Sequence, residues 1–278
     1  MHILITNDDS HRSPLLEFAI EHFSKLGDVS LVLPLHEQSW TGKSMTRFES
    51  VVVESAEIFG RPATLVSGTP ADCVNLGVYN LLKKKPDLVV SGINAGFNMG
   101  LGFILSSGTV GACLEANLAG IPAVALSQAF DTATRNAYTA DYMIEPSRLA
   151  MFREGANRVM ARLTSALLSE ASRAETLACP VTWNVNFPFE LTDPRVLCSA
   201  PLGMTRYGRV FHKQGAPDGA AASAFSHSHI ELVVDPSDDC DSSLIKAGCA
   251  TVSAISPWSL AGVPADPRVA ALLERFTG

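Results

Sequence analysis

Met1-His2-Ile3-Leu4-Ile5-Thr6-Asn7-Asp8-Asp9 opens the chain with a short apolar run that stops at three polar residues. Ile3-Leu4-Ile5 has no polar alternation, so it reads as a strand buried on both faces, the habit of a parallel sheet. The same pattern recurs downstream. Pro14 suits the first turn of a helix that reads on to about Leu26, with Gly27 beyond its end. Val29 to Leu33 is a second strand, and a polar loop from His36 to Thr46 follows. Two short β-like runs, Val51-Val52-Val53 and Ala63 to Val66, precede Gly68-Thr69-Pro70, where a helix starts that runs through Leu82. Leu88-Val89-Val90 is an apolar strand ending at Ser91-Gly92, Gly108 to Leu118 a helix, and Pro122 to Leu126 another buried strand. Strands alternating with helices define βαβ units, so the fold class is α/β with a mostly parallel sheet.

Beyond a polar stretch, Ser147 to Leu168 reads as a long amphipathic helix and Val181 to Phe187 as a strand. From about Val196 the character changes. Short β runs (Tyr207 to His212, Ile230 to Val234) flank an Ala/Gly/Ser segment, Gly215 to Ser228, that reads as a loop or hairpin tip. A short helix near Ser242 to Lys246, a strand at Thr251 to Ile255 and a last helix at Pro267 to Phe276 complete the chain. The expected organisation is a core over residues 1–190 and a β-rich arm with a final helix over 191–278, serving oligomerisation rather than folding as an independent domain.

Hydrophobic residues make up 47% and charged ones 18%, enough apolar surface for a sizeable core. The net charge of −7 argues against a nucleic-acid polymer as partner, because counterion release needs clustered Lys and Arg. Lys83-Lys84-Lys85 reads as a solvated helix end. No apolar stretch approaches the ~20 residues of a membrane span, and residues 1–6 carry no basic leader, so no membrane and a cytoplasmic location are expected. The six cysteines are scattered without a CxxC pair, which predicts reduced, mostly buried thiols.

Asn7-Asp8-Asp9 stands directly after the first strand, and ligands of parallel sheets bind outside the carboxyl ends of strands. Taken alone, the pair is as readily a helix cap or an Asx-turn. Three further placements favour chemistry. Ser39 lies in the loop after the second strand. Asn94 follows the third within Ser91-Gly92-Ile93-Asn94-Ala95-Gly96. Ser106-Ser107-Gly108-Thr109-Val110-Gly111 leads into a helix whose free N–H groups suit a phosphate. Each has a plain alternative: a turn serine, an asparagine in a glycine turn, a serine cap. Together they place two carboxylates, a hydroxyl, an amide and an anion-binding helix start at one sheet edge. Oxygen ligands suit Mg²⁺, Mn²⁺ or Ca²⁺ rather than zinc.

These segments, with Gln38-Ser39, Gly68-Thr69-Pro70-Ala71-Asp72-Cys73-Val74 and Pro86-Asp87-Leu88-Val89-Val90 in the same order, resemble the SurE survival-protein family. The match is strong over residues 1–127 and weaker at Asn184-Val185-Asn186-Phe187-Pro188 and around Asp241 to Pro257. The resemblance implies a Rossmann-like three-layer core and a C-terminal arm exchanged between subunits of a homodimer or homotetramer. It implies one divalent cation per subunit, Mg²⁺ or Mn²⁺ with Ca²⁺ admissible, on Asp8, Asp9, Ser39 and Asn94. It implies a metal-dependent 5′/3′-nucleotidase acting on nucleoside monophosphates. Asp8, Asp9 and Asn94 are then the candidate catalytic residues, and Asn98, Ser106, Ser107, Gly108 and Thr109 the candidate phosphate pocket. Three positions depart from the family's habit: Ser10 and Trp40 stand where glycine is usual, and Ser106 where tyrosine is common. They bear on substrate choice rather than on metal binding, and Trp40 can narrow the pocket or stack on a base.

Metal-assisted attack of water on phosphorus is the expected reaction, with Asp8 or Asp9 able to take the proton. His11 and His36 read as loop histidines, and His227 and His229 as a solvated tip. The alternatives are a non-catalytic nucleotide-binding protein and a metal-dependent hydrolase acting on a different small substrate. A zinc deacetylase would need histidine ligands beside Asp8-Asp9, where His11 alone is near.

Overall fold

β1 (His2–Thr6) shows how the sheet becomes a middle layer. Ile3 and Ile5 point into one apolar cluster and Leu4 into the other, because successive side chains leave a strand on opposite faces. The strands beside it do the same: Leu88 and Val90 lie in the first cluster and Val89 in the second, as do Val124 and Leu126 against Ala123 and Ala125.

The computed structural model describes residues 1–214, 223–227 and 231–260. After β1 come α1 (Leu16–Phe23), β2 (Asp28–Pro34), β3 (Val53–Ile58), β4 (Arg61–Val66), α2 (Pro70–Leu76) and a π-turn over Gly77–Leu81. β5 (Leu88–Ala95), α3 (Gly100–Ser106), α4 (Gly108–Leu118), β6 (Ala123–Gln128), α5 (Thr132–Asp141), α6 (Pro146–Leu167) and α7 (Arg173–Ala178) follow. The remainder is β7 (Thr182–Phe187), β8 (Leu197–Ser199), β9 (Arg206–Tyr207), β10 (Phe211–Gln214), β11 (Ala224–His227), β12 (Leu232–Val233), α8 (Asp241–Lys246), β13 (Ala250–Ile255) and a 3₁₀ turn at Pro257–Leu260.

Nine strands form one sheet in the order β3-β4-β2-β1-β5-β6-β7-β13-β8. Neighbours from β4 to β7 are parallel, while β3 and β13 pair antiparallel with β4 and β7. Two of the strands, β8 and β13, come from beyond residue 190. On one face α6 lays Phe152, Ala156, Val159, Met160 and Leu163, a stripe at helical spacing, into the cluster that holds Phe18 and Phe23 of α1. On the other face α2 and α4 bury Val74, Val110 and Cys113. The result is the expected α/β three-layer, Rossmann-like sandwich. Strand order reverses at β1, which has β2 on one side and β5 on the other, so the ligand crevice opens between the ends of β1 and β5.

Several elements differ from the sequence reading. β5 does not stop at Ser91 but continues to Ala95, with a slip of register against β6 between Ser91 and Asn94. The glycine-rich segment contains α3, and the polar stretch before α6 contains α5. The expectation of reduced thiols is corrected for one pair: Cys198 of β8 and Cys249 are disulfide-bonded, brought together by the parallel pairing of β8 with β13. Cys73, Cys113 and Cys240 are buried thiols, as expected, and Cys179 is exposed. His229, most of Gly215 to Ser228 and the expected helix at Pro267 to Phe276 lie outside the described residues. Among the described residues, no single helix is long and apolar enough to cross a membrane.

Candidate metal and phosphate site

β1 ends at Thr6 and the chain turns at once, held by Asn7 Nδ2 donating to the Ser10 carbonyl at 2.7 Å. That turn buries Asp8 and Asp9, each only 3% exposed. Thr109, in the first turn of α4, donates its hydroxyl to Asp8 Oδ1 at 2.7 Å and its N–H to Oδ2 at 3.1 Å. Asp9 Oδ2 accepts the N–H of Ala95, the last residue of β5, at 2.8 Å. The Gln38 N–H donates to the Asp8 carbonyl at 2.7 Å, which draws the loop carrying Ser39 to the same place. The Ser39 loop, the end of β5 and the start of α4 are thus tied together through the aspartate turn.

Close packing of α4 on the Ser39 loop depends on two glycines. A Cβ on Gly108 would stand 2.9 Å from the Gln38 carbonyl oxygen and 3.0 Å from the Asp8 side chain, and one on Gly111 would strike the Gly42 carbonyl. Ser10 and Trp40, the two positions where the family usually has glycine, adopt φ of 66° and 64°. Both backbones are left-handed, the region in which a side chain carries a steric penalty.

Neither aspartate has a cationic partner among the described ion pairs. Burial raises the Asp8 pKa to about 6 in spite of the Thr109 hydrogen bonds. Burial raises Asp9 well above the ordinary carboxylate value, and repulsion from Asp8 adds to it. Two adjacent buried carboxylates without a counter-charge are the arrangement that a cation relieves. Among the described residues, no three His, Cys, Asp or Glu side chains gather, so the available set is the oxygen-rich one that suits a hard ion.

A cavity of about 290 Å³ opens over this turn. Asp8, Ser39, Asn94, Asn98, Ser106 and Ser107 give it a polar side. Trp40, Phe97 and Phe103 form an apolar wall, and Arg135 lies at its border. Asp9 is not part of the cavity wall. The sequence-predicted residues therefore share one place but not one task. Asn98 is buried and knitted in: its Nδ2 donates to Ser127 at 2.8 Å, its N–H donates to Asn186 Oδ1 at 2.7 Å, and its carbonyl accepts the Asn184 and Asn186 amides. Ser106 turns its hydroxyl back onto the carbonyls of Gly102 and Phe103. Ser107 caps α4 by accepting the Val110 N–H at 3.1 Å. Thr109 has spent both donors on Asp8, which makes it a support for the carboxylate. Among the described residues the Gly108 N–H carries no hydrogen bond, whereas the Thr109, Val110 and Gly111 amides are all engaged.

Sequence reasoning placed Trp40 at the pocket but missed Phe97, Phe103 and α5. The Trp40 ring meets the edges of Phe103, Tyr207 and His227 at centroid distances of 6.2, 4.9 and 4.6 Å, and Phe97 meets Phe103 at 5.1 Å. His227, read as a solvated tip, is exposed but lies against Trp40. α5 brings Tyr138 beside Asp9 and Arg135 to the cavity border. Its only legible signals are the Asp131 cap on Thr134 and the i, i+3 spacing of Arg135 and Tyr138.

A buried carboxylate pair at the reversal point of a parallel sheet, with a hydroxyl, an amide and a helix start on the same crevice, places this chain among α/β proteins with a polar crevice at the carboxyl ends of the strands. The profile of the survival protein SurE family matches residues 3–212 of the chain. A 5′-nucleotidase SurE of Methanocella arvoryzae is 34% identical over 224 residues, covering 78% of each chain. That of Methanosarcina mazei is 35% identical over 212 residues, 76% of this chain and 74% of the relative. The match to that of Methanopyrus kandleri reaches 48% over 128 residues, 46% of this chain and 49% of the relative. The crystal structure of the SurE protein from Aquifex aeolicus superposes with a TM-score of 0.67 at 25% identity, over 94% of this chain and 96% of that one. The chain belongs to the SurE family.

Proposed function

We propose that this chain is a divalent-metal-dependent phosphomonoesterase that hydrolyses nucleoside monophosphates. The observation that carries the reading is the uncompensated pair Asp8-Asp9, buried at a cavity that Ser39, Asn94 and the start of α4 also reach. Asp8, Asp9, Ser39 and Asn94 would hold one cation per subunit, Mg²⁺ or Mn²⁺ in preference to Ca²⁺. When bound, such a cation supplies Lewis-acid polarisation of phosphoryl oxygen and acidification of water. The protein supplies the rest. Thr109 and the Ala95 N–H fix the carboxylates in place. The Asn94 amide and the Gly108 N–H, at the positive end of α4, offer donors where charge develops on the phosphoryl oxygens. Trp40, Phe97 and Phe103 present a face on which a base can stack.

The curated relatives bear the name 5′-nucleotidase, which supports the substrate class. The oligomer is read as a homodimer or homotetramer. The ribbon of β10 and β11, with Phe211 and Phe225 exposed, suits the exchanged arm. The protein is read as cytoplasmic. The test is phosphate release from a panel of nucleoside monophosphates with Mn²⁺, Mg²⁺ or EDTA, beside Asp9→Asn. Turnover that needs metal and collapses in the variant is expected. A wild type that binds metal and nucleotide yet releases no phosphate overturns catalysis in favour of a binding protein.

A further inference from the structure

Arg135 is the cation of the cavity, and among the described residues no carboxylate forms an ion pair with it. It lines the same space as Asp8, Ser39, Asn94 and Ser107, and its guanidinium forms no ion pair or hydrogen bond among the described residues. Its position is specific. A Cβ built on Gly96 would have the Asn94 Nδ2 at 3.5 Å and the two Arg135 terminal nitrogens at 3.7 and 3.9 Å. Two groups that can only donate at those nitrogens flank one small volume, which glycine leaves open at the end of β5.

The helix that delivers Arg135 is well seated. Asp131 caps α5 by accepting the Thr134 N–H at 2.7 Å. One turn after Arg135, Tyr138 is 7% exposed and packs its ring on Phe130 and Tyr142, beside Asp9. Burial opposes the charge on Arg135 while Asp9 favours it, and a guanidinium keeps its proton under either influence.

We propose that Arg135 is a further substrate-binding residue, whose guanidinium grips phosphoryl oxygens in the space it shares with the Asn94 amide above Gly96. This rests on the phosphomonoesterase reading for the identity of the anion, and on geometry alone for the existence of the contact. A planar fork of donors matches tetrahedral oxyanions and strengthens as their charge grows.

The test uses the full chain loaded with Mn²⁺ and compares wild type, Arg135→Gln and Arg135→Lys in two measurements: the affinity for inorganic phosphate by calorimetry, and kcat/KM for a nucleoside monophosphate. Loss of a charged hydrogen bond predicts that the Gln variant weakens both by roughly ten- to hundred-fold, with melting temperature and Mn²⁺ affinity unchanged. The Lys variant keeps the charge but not the fork, and is expected to recover part of the phosphate affinity. Phosphate affinity and kcat/KM within about two-fold of wild type in the Gln variant would overturn the proposal, being below what a charged contact contributes. So would a matching loss of Mn²⁺ affinity, because Arg135 would then act on the carboxylates. A wild type that hydrolyses no monoester would end the hydrolase reading, yet its phosphate affinity against that of the Gln variant still decides the role of Arg135.

Discussion

Replacing Asp8 by asparagine should make the metal-free protein more stable while abolishing its response to metal. The side chain is buried, and its pKa stands at about 6 against an ordinary 3.8 because burial penalises the charge. The folded state therefore holds its proton more tightly than the unfolded chain does. For an acid shifted upward, folding stability is greatest below the unfolded value and is lost as pH rises through the folded one. With EDTA present, stability should fall between about pH 4 and pH 6, by about 3 kcal/mol from Asp8 alone. Asp9, whose pKa burial and the neighbouring Asp8 also raise, adds to the decline. Asparagine carries no charge, and it can keep both contacts, its Oδ1 accepting the Thr109 N–H and its Nδ2 donating to the Thr109 hydroxyl. Near pH 7.5 the metal-free variant should then melt roughly 6–12 °C above the metal-free wild type. Adding Mn²⁺ at about a hundred times its dissociation constant should return about 2.7 kcal/mol to the wild type and little to the variant. Fluorescence-detected melts across pH, with EDTA or Mn²⁺, measure every arm. A metal-free wild type whose stability rises from pH 4 to 6, or a variant less stable than it at neutral pH, would refute the reasoning.

Gly111→Ala should separate α4 from the Ser39 loop, since the new methyl meets the Gly42 carbonyl; a loss of 1–3 kcal/mol or more in denaturant unfolding, with weakened metal binding, is expected. Ser10→Gly should leave metal binding intact and stabilise the fold by up to about 1 kcal/mol, because the residue sits at φ 66°; a destabilised variant would contradict this. Trp40→Gly removes strain and the Trp40 part of the aromatic wall together, so KM should rise for nucleoside monophosphates and stay level for a small aliphatic phosphomonoester. His22 has its pKa lowered to about 4 by burial, with Lys25 adding to the effect, so it contributes stability that is complete above 6.5 and drains away as pH falls toward 4. His22→Gln should flatten that limb by about 1 kcal/mol after screening, read by urea unfolding near pH 5 and 7.

The middle of the sheet was legible because its strands are buried on both faces and appear as unbroken apolar runs. Where a strand or helix lacks that signature, the sequence reads otherwise. Gly92 breaks the apolar run of β5, so the sequence pattern ends short of Asn94, which the strand carries. α3 begins Gly100-Leu101-Gly102, a composition that reads as a loop. α5 buries only Thr134 and Tyr138, and so few contacts leave no amphipathic stripe, yet this helix brings Arg135 to the site. β3 is an exposed edge strand, read in part as Val51-Val52-Val53, whereas the pairing with β4 begins at Val53. The Cys198–Cys249 bond spans 51 residues, and no local pattern announces a pairing made by β8 lying beside β13.

The division of labour within Ser107-Gly108-Thr109-Val110-Gly111 explains why a recognisable motif conceals its own roles. Ser107 spends its hydroxyl on capping the helix. Gly108 leaves room for the Gln38 carbonyl and for Asp8, and Gly111 for the Gly42 carbonyl. Thr109 fixes both oxygens of Asp8. Most of the motif therefore assembles the site, holding the aspartate turn and the Ser39 loop against one helix end. An anion is left the Gly108 N–H and the dipole of α4, a modest endowment for a phosphoryl group. A site so furnished needs further positive charge on its open side. On the proposed reading a divalent cation held by the carboxylates would provide part of it, and Arg135, reaching in from a helix that the motifs do not mark, is placed to provide the rest.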